Sequence, residues 1–105
     1  MKVKLENREY ELKANGSFLL KYQKTFDRNA LLDLYKSASE KDALSCEMLT
    51  YCAINEEMPF EEWLDSFESP LFILPVMDEV MEYFIRNVTP SVESKAKSDE
   101  KKTQN

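Results

Sequence analysis

The chain has 105 residues, with 14 Lys and Arg against 20 Asp and Glu, one Gly, two Cys, no His and a net charge of −6. That is enough for one domain with a modest core. The lack of His, with Gly16 as the only glycine, removes the commonest general base, the commonest metal ligand and both glycine-rich phosphate loops, so neither cofactor nor metal is expected. No run approaches the roughly 20 apolar residues that span a bilayer, and the opening MKVKLENREY alternates where a signal peptide would be apolar; the expected location is the cytoplasm.

Residues 2–13 alternate apolar and polar, which predicts a β-hairpin with one apolar side. A two-residue turn at Asn7 and Arg8 would set Leu5 opposite Tyr10 and Val3 opposite Leu12, although Arg8 suits the positive φ of such a turn poorly. Two strands alone are marginal in water, so helices must cover that side.

From Ala14 the period changes to about 3.6 residues, with Asn15 or Ser17 available as an N-cap. Phe18, Leu19, Tyr22 and Phe26 share one face of a first helix. Asp27, Arg28 and Asn29 interrupt it, and Leu31, Leu34, Tyr35 and Ala38 make the apolar stripe of a second. Ser37 to Asp42 reads as a loop, with Asp42 capping a third helix that carries Leu44, Met48, Leu49, Cys52 and Ala53. Cys46 and Cys52 lie about 240° apart around that helix, cannot bridge, and are expected to be buried small apolar residues.

Met58 and Pro59 end the third helix, and Pro59 suits the first position of a fourth, Phe60 to Phe67, whose Phe60, Trp63, Leu64 and Phe67 must be buried. Glu61 and Glu62, neighbours about 100° apart, form an acidic first turn rather than a catalytic pair. After a break at Ser69 and Pro70, the longest helix runs from near Leu74 to about Val88. Residues 90–105 hold only Val92 and Ala96 as apolar residues and are expected to be a flexible polar tail beyond a domain of residues 1–89. The fold class is therefore mainly α, a small N-terminal hairpin followed by about five short helices.

Charge is uneven. Residues 1–39 carry +3 and residues 40–69 carry −8. A nucleic-acid binder needs a basic stripe, so direct DNA or RNA binding is not expected. The acidic stretch is either a solvated face or a surface that steers a basic partner.

The last helix has the widest apolar arc. Ile73, Met77, Val80, Met81, Phe84 and Val88 form one stripe and Phe72, Val76 and Tyr83 a second, together about 220° against the somewhat more than 100° of an ordinary surface helix. Either another helix of the chain or another molecule covers the second stripe. Phe72, Val76 and Tyr83 are the candidate partner-binding residues, and a copy of the same chain would serve as well as a foreign partner. No catalytic or cofactor-binding residue is assigned.

The order KVKLENREYELK, ANGSFLLKYQKTFDRNALLDLYK, FEEWLDSF and a Lys-rich polar end resembles the tail assembly chaperones of long-tailed bacteriophages of Gram-positive hosts, over about residues 1–88. Gly16 and Ser17 stand where relatives often carry Ala and Lys. The resemblance implies a non-enzymatic helical protein of the host cytoplasm. Such a protein binds the tape measure protein, prevents its aggregation, helps bring tail tube protein through a longer frameshifted product, and is absent from the finished virion. A reading from charge alone is an acidic mimic of nucleic acid that occupies a basic host protein.

Overall fold

The computed structural model describes residues 1–88; the tail expected at 90–105 lies outside them. The described chain is mainly α with an N-terminal hairpin. β1 (Lys2–Leu5) and β2 (Arg8–Glu11) are followed by α1 (Phe18–Phe26), α2 (Ala30–Glu40), α3 (Ala43–Ile54) and α4 (Phe60–Asp65). A 3-10 turn (Leu74–Val76) then leads into α5 (Met77–Val88).

The hairpin pairs Leu5 with Arg8 and Val3 with Tyr10, so the turn is Glu6 and Asn7, not Asn7 and Arg8. The slip from the expected register is two residues, which preserves the side-chain alternation: Val3, Leu5 and Leu12 are buried on one side, with Tyr10 half-buried there. Glu6 takes the positive φ of 57°. Its carboxylate accepts hydrogen bonds from the backbone N–H groups of Glu68 and Ser69, both at 3.0 Å, and these hold it below the usual carboxylate range. Arg8, freed from the turn, lies 4.2 Å over the Phe67 ring and donates to the Ser66 hydroxyl and carbonyl. Turn chemistry lost at Glu6 is replaced by tertiary bonds to the segment after α4.

α3 runs through the centre. Cys46, Leu49, Thr50, Tyr51, Cys52 and Ala53 are all buried, and both thiols are free and pushed up by burial, Cys46 to about 11. The helix ends at Asn55 (φ 57°), ahead of the expected stop at Met58 and Pro59. α4 is shorter than expected. Pro59 is its N-cap, not its first residue, and Phe67 lies beyond its end. Trp63 is sealed there among the rings of Tyr10, Tyr51, Phe67 and Phe72 at centroid distances of 5.1 to 6.3 Å. Pro75 sits in the 3-10 turn, and the α-helix proper starts only at Met77. Of the first stripe, Ile73, which precedes the helix, and Met77, Val80, Met81 and Phe84 are buried in the core, with Phe84 stacked on Phe18 at 5.3 Å, while Val88 at the end is only half-buried.

Candidate functional site

Phe72, Val76 and Tyr83 do not form an exposed strip, and only Tyr83 lies on α5, since Phe72 precedes the 3-10 turn and Val76 ends it. Phe72 is 4% exposed, stacked on Phe67 at 3.8 Å and perpendicular to Trp63 at 5.3 Å. Tyr83 is half-buried; its hydroxyl donates to the Leu12 carbonyl at 2.9 Å and accepts from the Ala14 N–H at 3.0 Å. Val76 is half-buried against the same core. The wide arc is therefore shared between internal neighbours: α4 and its following segment take Phe72, and the chain leaving β2 takes Tyr83. Arc width could be counted from sequence, but which element would cover it could not.

The largest departure from expectation is in α2. The helix begins where Asn29 Oδ1 accepts from the N–H groups of Leu31 and Leu32, and continues through Ser37 to Glu40, the stretch expected to be a loop, before reversing at Lys41 (φ 57°). Residues facing the core are Ala30, Asp33 and Ser37, at i, i+3 and i+7. The expected apolar stripe is split: Leu34 and Ala38 pack against the core, and Leu31 and Tyr35 do not. Leu34 and Ala38 are half-buried, while Leu31 is 51%, Leu32 62% and Tyr35 67% exposed.

A buried polar cluster causes this rotation. Asp33 is 1% exposed, accepts from the Tyr22 hydroxyl at 2.7 Å, and is gripped by Arg28 through Nε (2.7 Å) and Nη2 (2.8 Å). The Arg28 bonds hold its carboxyl below the usual range, with the Tyr22 bond adding to them against burial. One turn on, Ser37 Oγ donates to Met81 Sδ at 2.9 Å. An ionised carboxylate is tolerated inside only where its lone pairs are met, and Tyr22 of α1 and Arg28 of the α1–α2 turn meet them from one direction. Once Asp33 points that way, Leu31, Leu32 and Tyr35 on the far side of the helix cannot.

Two hollows flank the α1–α2 turn, each lined in part by Asp27, Arg28 and Asn29. One, of about 350 Å³, adds Leu19 and Leu31; the other, of about 420 Å³, adds Leu32, Tyr35 and Lys36. Leu19 is itself 39% exposed. Exposed charges along this surface are mixed, Lys36 and Asp27 beside Glu40.

In the acidic stretch, Glu61 and Glu62 are exposed on α4. Glu47 belongs to the −8 stretch but not to its surface. Its side chain is buried in α3, Oε2 has no hydrogen-bond partner, and burial, helped by the Asp42 charge, pushes its carboxyl up to about 7. Among the described residues no group of three or more His, Cys, Asp or Glu is placed to hold a metal ion, and no helix is long and apolar enough to cross a membrane. Sequence reasoning missed the α2 surface because it placed the partner-binding stripe on the last helix, where the apolar arc is widest, and read the α2 stripe simply as the apolar face of a helix. The signal that could have found it is the acid within LLDLY, which gives α2 a second, polar stripe through Asp33 and Ser37. No protein-family model, curated protein or solved structure matches the chain.

Proposed function

We propose that this chain is a non-enzymatic tail assembly chaperone. It covers apolar segments of a phage tape measure protein in the host cytoplasm, helps bring tail tube protein to it through a longer product, and leaves before the virion is complete. The observation that carries the reading is the outward apolar side of α2, with Leu31, Leu32 and Tyr35 each at least half exposed. Single exposed apolar residues are unremarkable, but a contiguous set lining adjacent hollows marks an interaction surface. The order of hairpin, ANGSFLLKYQKTF segment and FEEWLDSF helix supports the identity of the partner. The partner surface proposed is α1–α2, in place of Phe72, Val76 and Tyr83.

The test is co-expression with the tape measure gene of the same cluster. A soluble complex on size exclusion is expected, with the tape measure insoluble alone. Equal solubility with and without this chain, and no complex, would end the proposal. The exposed acids Glu57, Glu61, Glu62, Asp65 and Glu68 favour the nucleic-acid-mimic reading instead. That reading requires binding to a basic protein that collapses as salt rises, whereas apolar docking changes little.

A further inference from the structure

We infer that the outer edge of β1 is a docking site for one extended acidic segment of a partner protein, which adds to the hairpin as a third strand. The site is separate from the α1–α2 surface and stands or falls without the chaperone reading.

The hairpin register shows which backbone groups are open. In an antiparallel pair, residues that exchange hydrogen bonds alternate with residues whose N–H and C=O groups point away from the other strand. Leu12 donates to the Met1 carbonyl at 2.7 Å, so the bonded pairs are Met1 with Leu12, Val3 with Tyr10 and Leu5 with Arg8. Lys2 and Lys4 therefore direct their N–H and C=O groups outward, and among the described residues no hydrogen bond reaches those groups. The other edge is not equivalent. Just past β2 the Lys13 N–H donates to the Ala53 carbonyl at 2.9 Å, which sets the end of α3 against that side. Of the two edges, that of β1 presents the open row of donors and acceptors, and a second extended backbone is what such a row fits.

Charge names the occupant. Val3 and Leu5 are buried, so the side chains that β1 shows to solvent are Lys2 and Lys4. The fold itself shows what suits them, since β2 sets Glu11 opposite Lys2 and Glu9 opposite Lys4. Neither glutamate closes on them: among the described residues no carboxylate lies within ion-pair distance of either lysine. A strand with acids on the same side meets that charge. A second copy does not, because two β1 strands paired antiparallel through these groups place lysine opposite lysine, which is destabilising. Lysines on an edge strand guard against self-pairing, and here the same two residues select an acidic partner.

The test uses the full chain and a fluorescent, end-capped peptide of about eight residues alternating Glu and Val, with a second peptide carrying Lys in place of Glu. The Glu peptide is expected to bind and to slow hydrogen exchange at the Lys2 and Lys4 amides by about tenfold or more, while those of Val3 and Leu5, already bonded within the hairpin, change little. Binding should fall by about tenfold or more for the Lys peptide, and equally when the amides of one peptide edge are N-methylated, at every Glu or at every Val. Lys4→Pro removes one outward N–H and one charge without touching the bonds to β2, and should weaken binding with the helical circular dichroism intact. Lys2→Glu with Lys4→Glu should reverse the preference toward the Lys peptide. Absence of binding, unchanged exchange at Lys2 and Lys4 with peptide bound, indifference to both N-methylated forms, or no reversal in the charge-swapped variant would each overturn the assignment. So would protection of those two amides that grows with the chain's own concentration in the absence of peptide, which would give the edge to a second copy.

Discussion

The Tyr22 hydroxyl donates to Asp33 Oδ2 at 2.7 Å in a place where neither side chain is more than 1% exposed. This contact joins α1 to α2 and sets the rotation of α2 about its own axis. The fold has thus spent a buried carboxylate on orienting a helix whose apolar residues would otherwise turn toward the core. Stability and the exposed surface are linked through one side chain.

Tyr22→Phe removes the hydrogen bond and keeps the ring, leaving one lone pair of a buried carboxylate unmet. A loss of about 1–2 kcal/mol is expected from urea unfolding at neutral pH. Asp33 has a folded pKa below its ordinary value, so its contribution is present above the unfolded pKa and is lost as pH falls through the folded one. The Tyr22→Phe penalty should therefore shrink below about pH 4. A penalty that stays constant into acid would mean that the pair does not depend on the ionised form.

Glu47 works in the opposite sense. Its folded pKa is raised to about 7 from 4.5, so the stability associated with it is full below 4.5 and is lost as pH rises through 7. Glu47→Gln keeps the shape and removes the titration. Relative to this variant, the parent chain should lose about 3 kcal/mol of stability between pH 5 and pH 8. Parallel unfolding midpoints of the two chains across that range would show that Oε2 finds solvent or a partner after all.

Core and surface apolar residues should separate cleanly. Phe72→Ala opens a void between Phe67 and Trp63 and should cost about 3–5 kcal/mol, whereas Leu32→Ser at an exposed position should change stability by about 0.5 kcal/mol or less. Thermal denaturation followed by circular dichroism measures both. A large loss for Leu32→Ser would place α2 in a different rotation from the one described.

These residues show how far the sequence could be read. The apolar side of the hairpin was legible even though its turn was misplaced, because a two-residue slip leaves alternation unchanged, and the interruption after Phe26 was legible in the polar run Asp27, Arg28 and Asn29, though not the left-handed φ that Asp27 adopts. The α2 surface was not legible. Its helix carries two competing stripes, and the winner was decided by Tyr22 and Arg28, whose proximity to Asp33 is a tertiary fact. The end of α2 was misread for the same reason: Ser37 looks like loop chemistry until Met81 is seen to accept its hydroxyl. For α5, the wide arc was counted on one helix running from Phe72, whereas the α-helix starts only at Met77 and long-range neighbours enclose Phe72.

The hairpin offers a last test of tertiary control. Arg8 lies over Phe67 and donates to Ser66, while Glu6 on the same turn accepts from Glu68 and Ser69, so the turn and the segment after α4 hold each other. Arg8→Lys keeps the charge but loses the planar fork that both stacks and donates. If that geometry matters, Lys should rescue little of the ~1–2 kcal/mol lost in Arg8→Ala. Hydrogen exchange should meanwhile rise at the Glu68 and Ser69 amides, which depend on Glu6 staying in place. Full rescue by Lys would reduce the contact to simple charge attraction. Unchanged exchange at those two amides would show that Glu6 holds its turn without Arg8, and that the clamp consists of two independent halves.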